Sequence, residues 1–316
     1  MHSYVAGAGG FIGGHLVKRL VDMGHEVTAV DIKPVSEWWQ RHSAHNIVSD
    51  VGLSSRMPMV DWVFNLAADM GGMGFIAHNK VACMRSAYTS LNLLATAEEM
   101  CADRYFFASS ACVYPGYRQE GEAQPLSENL AYPADPEDGY GWEKLFSERL
   151  TLHYAEEERL DTRVARFHNV YGPYGTYQGG REKAPAALCR KVWEGGTLEI
   201  WGDGMQQRSF LYIDDCIDGI IKLMESNYKQ PVNIGSEHAV TINELAGIVM
   251  GIAGKNLTVR HVDGPRGVQG RNSDNTRARA YLGWDATTPL TRGLEETYKW
   301  IAGRLSCHGV STKEGR

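Results

Sequence analysis

Two short stretches carry side chains able to move protons and hydride. Phe107-Ala108-Ser109-Ser110-Ala111-Cys112-Val113-Tyr114-Pro115 begins apolar and ends in a turn, so it delivers two hydroxyls and a thiol to a strand end. Further on, Tyr140 and Lys144 stand at i and i+4, one face of one helix. A phenol with a pKa near 10 is a poor base at neutral pH. An ammonium one turn away, joined by a positive nicotinamide, stabilises its phenolate. Tyr140 can then take a proton from a hydroxyl while hydride leaves the same carbon, with Ser110 holding that hydroxyl and Lys144 also binding the nicotinamide ribose.

Hydride needs an acceptor, and the amino terminus reads as its holder. Ser3-Tyr4-Val5-Ala6 is a short strand, and an amphipathic helix runs from Gly14 to Met23. Gly24 ends it, and Glu26–Asp31 is the second strand of a βαβ unit. Between them lies Gly7-Ala8-Gly9-Gly10-Phe11-Ile12-Gly13. Gly7 allows the tight turn, Gly10 lets a pyrophosphate approach the backbone, and Gly13 lets helix and strand pack closely. The helix N-terminus, opening past Phe11 and Ile12, faces the phosphates. Asp31 ends the second strand, where a carboxylate accepts the ribose hydroxyls and repels a 2′-phosphate, so NAD is expected over NADP. Asn46-Ile47-Val48 leads to Asp50-Val51, an expected adenine contact, while Trp38-Trp39-Gln40 fits a helix face or a loop. Asp61–Ala68 is a strand whose small carboxyl-end residues, Ala67 among them, leave room for a cofactor above the sheet.

The remaining pattern positions these groups. Asp69–Phe75 reads as a flexible Gly/Met loop, 81–100 as a helix, 104–108 as the strand feeding Ser109, 138–158 as the Tyr–Lys helix and 163–167 as a buried strand. Strands alternating with helices imply an α/β fold, a Rossmann-type doubly wound parallel sheet. Past Gly172 the pattern loosens. Pro185 opens a helix to Trp193, 198–201 is a strand, Asp214 caps a helix to Glu225, and Thr241 with Glu244 fits a capping box. Helices are expected over 274–282 and 289–304, and a frayed tail over 305–316. Residues 1–176 plus 209–235 form the expected NAD-binding domain, and 177–208 plus 236–304 a smaller substrate domain.

Composition narrows the class. A formal charge of -6 argues against a nucleic-acid surface. No apolar run approaches the ~20 residues of a membrane helix, and residues 1–30 lack the succession of a signal peptide. Six scattered cysteines with no C-x-x-C pair read as reduced cytoplasmic thiols. His42 and His45 read as a solvated polar segment, so no metal site is expected.

Gly7-x-x-Gly10-x-x-Gly13, Asn65-Leu66-Ala67-Ala68, Ser109-Ser110, Tyr140-Gly141-x-x-Lys144 and Arg166-x-x-Asn169-Val170-Tyr171-Gly172-Pro173 together resemble the extended short-chain dehydrogenase/reductases, across residues 1–304. That family acts largely on nucleotide sugars, and the resemblance implies a tightly held NAD that oxidises the sugar at C4 and reduces it again. Its 4,6-dehydratases carry Asp and Glu after the active-site hydroxyl. Here those positions are Ala111 and Cys112, so water elimination lacks its carboxylates. Residues 67–75, 109–115, 182–185 and 270–275 are similar to the family's 3,5-epimerases. The resemblance implies that Cys112 and Lys183 exchange protons at C5 and C3 beside a 4-keto group. Nearby cations would lower the thiol's pKa, and partial burial that of the lysine. The implied conversion is GDP-D-mannose to GDP-L-galactose, with GDP-L-gulose as the by-product unepimerised at C3.

The resemblance places Gly71, Gly72, Met73, Gly74, Asn169, Glu182 and Ala184 at the sugar, beside Cys112, Tyr140 and Lys183. It places Lys191, Gln207, Arg208 and Arg271 at the GDP, where cations suit the diphosphate. Plainer readings stand beside these: a solvated turn for Arg271, a solvated helix face for Lys191, an ion pair with Arg181 for Glu182, and core packing for Cys189 and Cys216. The resemblance also implies a homodimer joined through the helices at 81–100 and 140–158. The nearest rival is a 4-epimerase or 4-reductase on another nucleotide sugar, in which Cys112 only packs. A non-catalytic NAD-sensing regulator is a third reading, disfavoured because Ser110, Tyr140 and Lys144 are all present.

Overall fold

Seven strands, most of them separated by helices, form one parallel sheet in this computed structural model, which describes residues 1–43, 45–53, 56–265 and 267–311. The strands are β1 (His2–Ala6), β2 (Glu26–Asp31), β3 (His45–Val48), β4 (Trp62–Asn65), β5 (Arg104–Ser110), β6 (Thr162–Phe167) and β7 (Val232–Ile234). Their order across the sheet is β7-β6-β5-β4-β1-β2-β3. The strand order reverses between β1 and β4, so their carboxyl ends open the crevice where such sheets take ligands.

Side chains alternate across β1. Val5 joins one core layer with Leu16, Val17 and Leu20 of α1 (Phe11–Asp22) and Ile217 and Ile220 of α6 (Ile213–Glu225). Tyr4 and Ala6 join the other, with Leu93, Leu94 and Ala97 of α3 (Lys80–Glu99) and Leu152 of α4 (Asp138–Glu156). This period of two against helices on both faces is what buries a parallel sheet. A third cluster joins Leu188, Cys189 and Val192 of α5 (Ala184–Glu194), Leu245 and Val249 of α7 (Ile242–Ala253), and Leu294 and Ile301 of α8 (Leu290–Ser311). Beside it a four-stranded sheet runs in the order Ala239–Thr241, Gln207–Ser209, Gly270–Ser273, Pro125–Leu126. The expected capping box is formed: the Thr241 hydroxyl accepts from the Glu244 backbone, and the Glu244 carboxylate accepts from the Thr241 backbone.

Some local expectations are revised. Asp69–Phe75, read as a flexible loop, contains the start of a short helix, α2 (Met73–His78), with Gly72 at its cap. Helix α1 begins at Phe11 rather than Gly14. The strand expected over 61–68 is only Trp62–Asn65. Residues 38–40 form no helix, and the Trp38 indole packs on Gly9 of the glycine turn. Asp214 lies in the first turn of α6, while Tyr212 takes the cap position without a side-chain hydrogen bond. An acid there still faces the positive end of the helix dipole. The helix expected over 274–282 starts later, at Thr276, and widens into a π-helical turn over Ala278–Leu282. Of the tail expected to fray, 305–311 continues α8, and 312–316 lies outside the described residues.

Candidate active site

The glycine turn is set by backbone approach. Gly7 has φ of 85°, and its N–H and that of Ala8 both donate to the Val30 carbonyl. A Cβ on Gly13 would stand 2.1 Å from the Gly7 oxygen, so a larger residue would push α1 off the turn. Gly10 caps α1 in an extended conformation, with no side-chain cap and no acid in the first turn. The opening N–H groups of α1, from Phe11 and Ile12 onward, therefore remain suited to a phosphate. Asp31, buried at the end of β2, accepts its local Lys33 N–H at 3.0 Å and no other hydrogen bond among the described residues. Asp50 likewise accepts from Gly52 at 2.9 Å, and the Val51 carbonyl takes the Asn92 amide at 2.7 Å. Ala67 follows β4, with its nitrogen 2.8 Å from where a Gly7 Cβ would be. These residues fit a dinucleotide: a cradle that any Cβ would fill, an uncapped helix start, and a carboxylate at the ribose position.

Strand β5 ends at Ser110, whose hydroxyl accepts from the Cys112 N–H at 3.2 Å and so caps the turn that turns Cys112 away from the strand. A buried polar chain fixes this strand end. Ser109 donates to Glu148 at 2.7 Å, Glu148 pairs with Arg166 at 2.5 Å, and Arg166 donates to the Tyr114 hydroxyl at 3.3 Å. Helix α4 docks directly on the turn, because a Cβ on Gly141 would meet the Cys112 carbonyl at 2.4 Å. Tyr140 is thereby brought to Ser110, which hydrogen-bonds its phenol. Burial pushes that phenol above its usual range; the charges of Cys112 and Glu143 act the same way, and the Ser110 hydrogen bond opposes them. The protein's own groups thus raise Tyr140 where the Tyr-x-x-x-Lys spacing led to an expected fall. The main reason is burial; the Cys112 charge and Glu143, which stands 3.5 Å from the Lys144 ammonium, add to it.

Lys183 arrives from the other side of the chain as the cap of α5. Its segment is held by α2: the Gly72 N–H donates to the Arg181 carbonyl at 3.0 Å, and a Cβ on Gly72 would stand 2.4 Å from the Glu182 oxygen. Arg181 pairs with Asp69 at 2.5 Å and lies 3.8 Å from the centre of the Phe75 ring. Burial pushes the Lys183 ammonium down, the direction expected; Cys112 and Cys216 oppose this and Arg271 adds to it. The Arg271 guanidinium donates to the Cys112 sulfur at 3.4 Å. Cys112, Lys183 and Arg271 are therefore brought together from three distant stretches.

The other residues of the expected sugar and GDP sites are placed as follows. Met73 packs against Gly267, Gly74 against Trp201 and Gly71 against Phe75. Ala184 is the first residue of α5. Asn169, with φ of 39°, donates to the Ser209 carbonyl at 2.9 Å. Glu182 accepts from Gly180 at 2.7 Å and pairs with Arg190 at 3.5 Å, so its partner is Arg190, not Arg181. Lys191 donates to the Glu199 carbonyl and Gln207 accepts from the Ala123 N–H. Arg208 donates to the carbonyls of Gln207, Val268 and Gln269, and burial followed by the nearby Arg271 charge pushes it down to about 10. Cys189 and Cys216 are core residues. No metal-binding group of His, Cys, Asp and Glu occurs among the described residues. Gln119, Glu137 and Glu143 were not legible as site residues. Only the nearness of Glu137 and Glu143 in sequence to Tyr140 offered a signal.

The model of the NAD dependent epimerase/dehydratase family matches residues 3–235. GDP-mannose 3,5-epimerase 1 of Oryza sativa subsp. indica is 47% identical over 309 residues, covering 95% of this chain and 82% of that protein. GDP-mannose 3,5-epimerase of Arabidopsis thaliana is 44% identical over 314 residues with the same coverage. Among solved structures, UDP-glucuronic acid 4-epimerase from Bacillus cereus, in complex with UDP-glucuronic acid and NAD, is similar with a TM-score of 0.84 at 26% identity, covering 96% of this chain and 100% of that one. With strand order, glycine turn and Ser–Tyr–Lys set in agreement, the chain belongs to the NAD dependent epimerase/dehydratase family.

Proposed function

We propose that the protein is an isomerase that converts GDP-D-mannose to GDP-L-galactose, releasing GDP-L-gulose when only C5 inverts. The observation that carries this reading is the convergence of Cys112 and Lys183, whose charges act on each other across the site. Identity of 47% to a protein named for this activity supports it.

NAD, when bound by Gly7, Gly10, Gly13 and Asp31, supplies a hydride acceptor at C4 and a positive charge near Tyr140. Tyr140 takes the C4 hydroxyl proton, Ser110 holds that hydroxyl, and Lys144 orients the ribose and lowers the phenol's cost of ionising. A ketone at C4 acidifies the protons on C3 and C5. Inversion then needs a base on one ring face and an acid on the other. Cys112 takes the proton from carbon and Lys183 returns one from the opposite face; Tyr140 then gives its proton back to the C4 oxygen as the hydride is returned to C4, so the sugar leaves with no net oxidation. A lysine held below its ordinary range by burial releases a proton more readily near neutrality. Arg208, Gln207, Lys191 and Arg271 would bind the GDP, while Gly71–Gly74, Asn169 and Glu182 line the sugar.

The reading extends to the whole molecule. Residues 1–176 plus 209–235 form the cofactor unit, and 177–208 plus 236–304 the substrate unit. On α3 and α4, Val81, Met84, Tyr88, Leu91, Trp142 and Phe146 are exposed, an apolar face suited to a second copy of the chain. No helix among the described residues is long and apolar enough to cross a membrane. All six thiols are free, which suits a reducing cytoplasm.

The test is incubation with GDP-mannose in deuterated water, followed by NMR of the products. Deuterium at C5 and C3 is the expected result. Product altered at C4 alone, without deuterium, would replace this reading with a 4-epimerase.

A further inference from the structure

Arg271 sits on the strand Gly270–Ser273 and is almost fully buried. Its Nε donates to the Gln119 amide oxygen at 2.6 Å, its Nη2 to the Glu137 carboxylate at 2.8 Å, and its Nη1 to the Cys112 sulfur at 3.4 Å. A guanidinium is a rigid plane, so two acceptors on two edges fix the direction of the third nitrogen.

Those two acceptors are tied to the turn that carries the sulfur. The Gln119 amide nitrogen donates to the carbonyls of Tyr114 and Pro115 at 3.0 and 3.2 Å, which leaves its oxygen for Arg271. The Gln119 carbonyl accepts from Gln269 and Gly270, holding the Arg271 strand alongside. The Glu137 N–H donates to the Cys112 carbonyl at 3.3 Å. Sulfur, carboxylate and amide are thus hydrogen-bonded to one turn, and the guanidinium spans all three.

The charges around Cys112 give this arrangement a purpose. Facing it are the Tyr140 phenol from α4, the Lys183 ammonium from the α5 cap, Arg208 from the adjoining strand, and Arg271. Arg208 and Arg271 repel each other. Glu137 is the carboxylate bonded to Arg271 and holds it at the sulfur against that repulsion.

Building on the proposed epimerase reading, we propose that Glu137 and Gln119 are positioning residues that aim the Arg271 guanidinium at the Cys112 sulfur. A cation donating to sulfur favours the nucleophilic, proton-accepting form. A buried strut would need no sulfur contact.

The test uses the full chain with NAD bound. Iodoacetamide alkylation is followed from pH 5 to 10 at the Cys112 peptide by mass spectrometry, because Cys101 and Cys307 are exposed while Cys112 is half-buried. In Glu137→Asp, which keeps the charge and withdraws the carboxylate from Arg271, the profile is expected to move up by about one pH unit, which is about tenfold slower alkylation below the wild-type midpoint. Gln119→Leu, which removes an acceptor and no charge, is read in the same way, so the proposal can still be refuted if Glu137→Asp folds poorly. Profiles that coincide with wild type in a variant that retains NAD would overturn the proposal. Deuterium incorporation by the unaltered protein is scored separately: its absence removes the epimerase reading and leaves the alkylation shift to decide the role of Glu137 and Gln119.

Discussion

Lys144 holds its ammonium 5.7 Å from the centre of the Tyr140 ring, while Glu143, its neighbour in sequence, approaches the same ammonium to 3.5 Å. Burial, then the Cys112 and Glu143 charges, keep the phenol above its usual range. Glu143→Gln keeps the shape and the acceptor for Ser147 but removes a negative charge. The ascending limb of the pH profile for C4 oxidation is therefore expected to move to lower pH. Single-turnover hydride transfer across pH measures it, and a limb that stays or rises would count against the electrostatic account.

Cys112→Ser preserves the turn, because the Ser110 cap is made by backbone N–H. The variant is expected to retain NAD and its fold and to lose deuterium exchange at C3 and C5 by about 10²–10⁴-fold, the usual contribution of a positioned base. Exchange at the wild-type rate would return Cys112 to a packing role.

The Glu148–Arg166 pair is buried, with Ser109 and Tyr114 as further partners. Removing one partner strands a charge, so Glu148→Ala is expected to cost about 3–5 kcal/mol of stability by urea denaturation. Replacing both with methionine should recover much of that loss, since neither charge then stays behind.

Burial holds His168 down to about 3, with the Arg271 and Arg166 charges acting in the same direction and the Asn233 hydrogen bond opposing. The ordinary value is 6.5. Below it the unfolded chain binds a proton that the folded chain refuses, so stability is full above pH 6.5 and falls as pH drops toward 3. The slope from this one group is at most about 1.4 kcal/mol per pH unit. In His168→Gln, denaturation midpoints compared at pH 7 and 5 should show a smaller acid loss than wild type.

Tyr88 and Phe146 are 62% and 51% exposed on the α3–α4 face. Substituting both with glutamate places charge in the proposed contact between two copies. Light scattering should then report a monomer where the unaltered chain reports a dimer. A monomer in both would remove the dimer proposal.

Much of the cofactor side was legible because it is local. A strand repeats every two residues and a helix every 3.6, so Val5 against Tyr4, Tyr140 beside Lys144, and Asp31 at a strand end could be read along the chain. Gly7 and Gly13 were legible as well, since only glycine tolerates that turn. Four features came from the tertiary structure alone. Arg271 reaches the Cys112 sulfur across 159 positions. Glu182 pairs with Arg190. The Gly/Met stretch winds into α2 and grips the Lys183 segment. Burial, with the Cys112 and Glu143 charges behind it, outweighs the Tyr–Lys spacing at Tyr140. Each depends on which backbones come within van der Waals contact, as at Gly72 and Gly141, and on how much water that contact expels. Residue type and periodicity name the groups that can do chemistry, while burial and long-range partners set their charge state and direction.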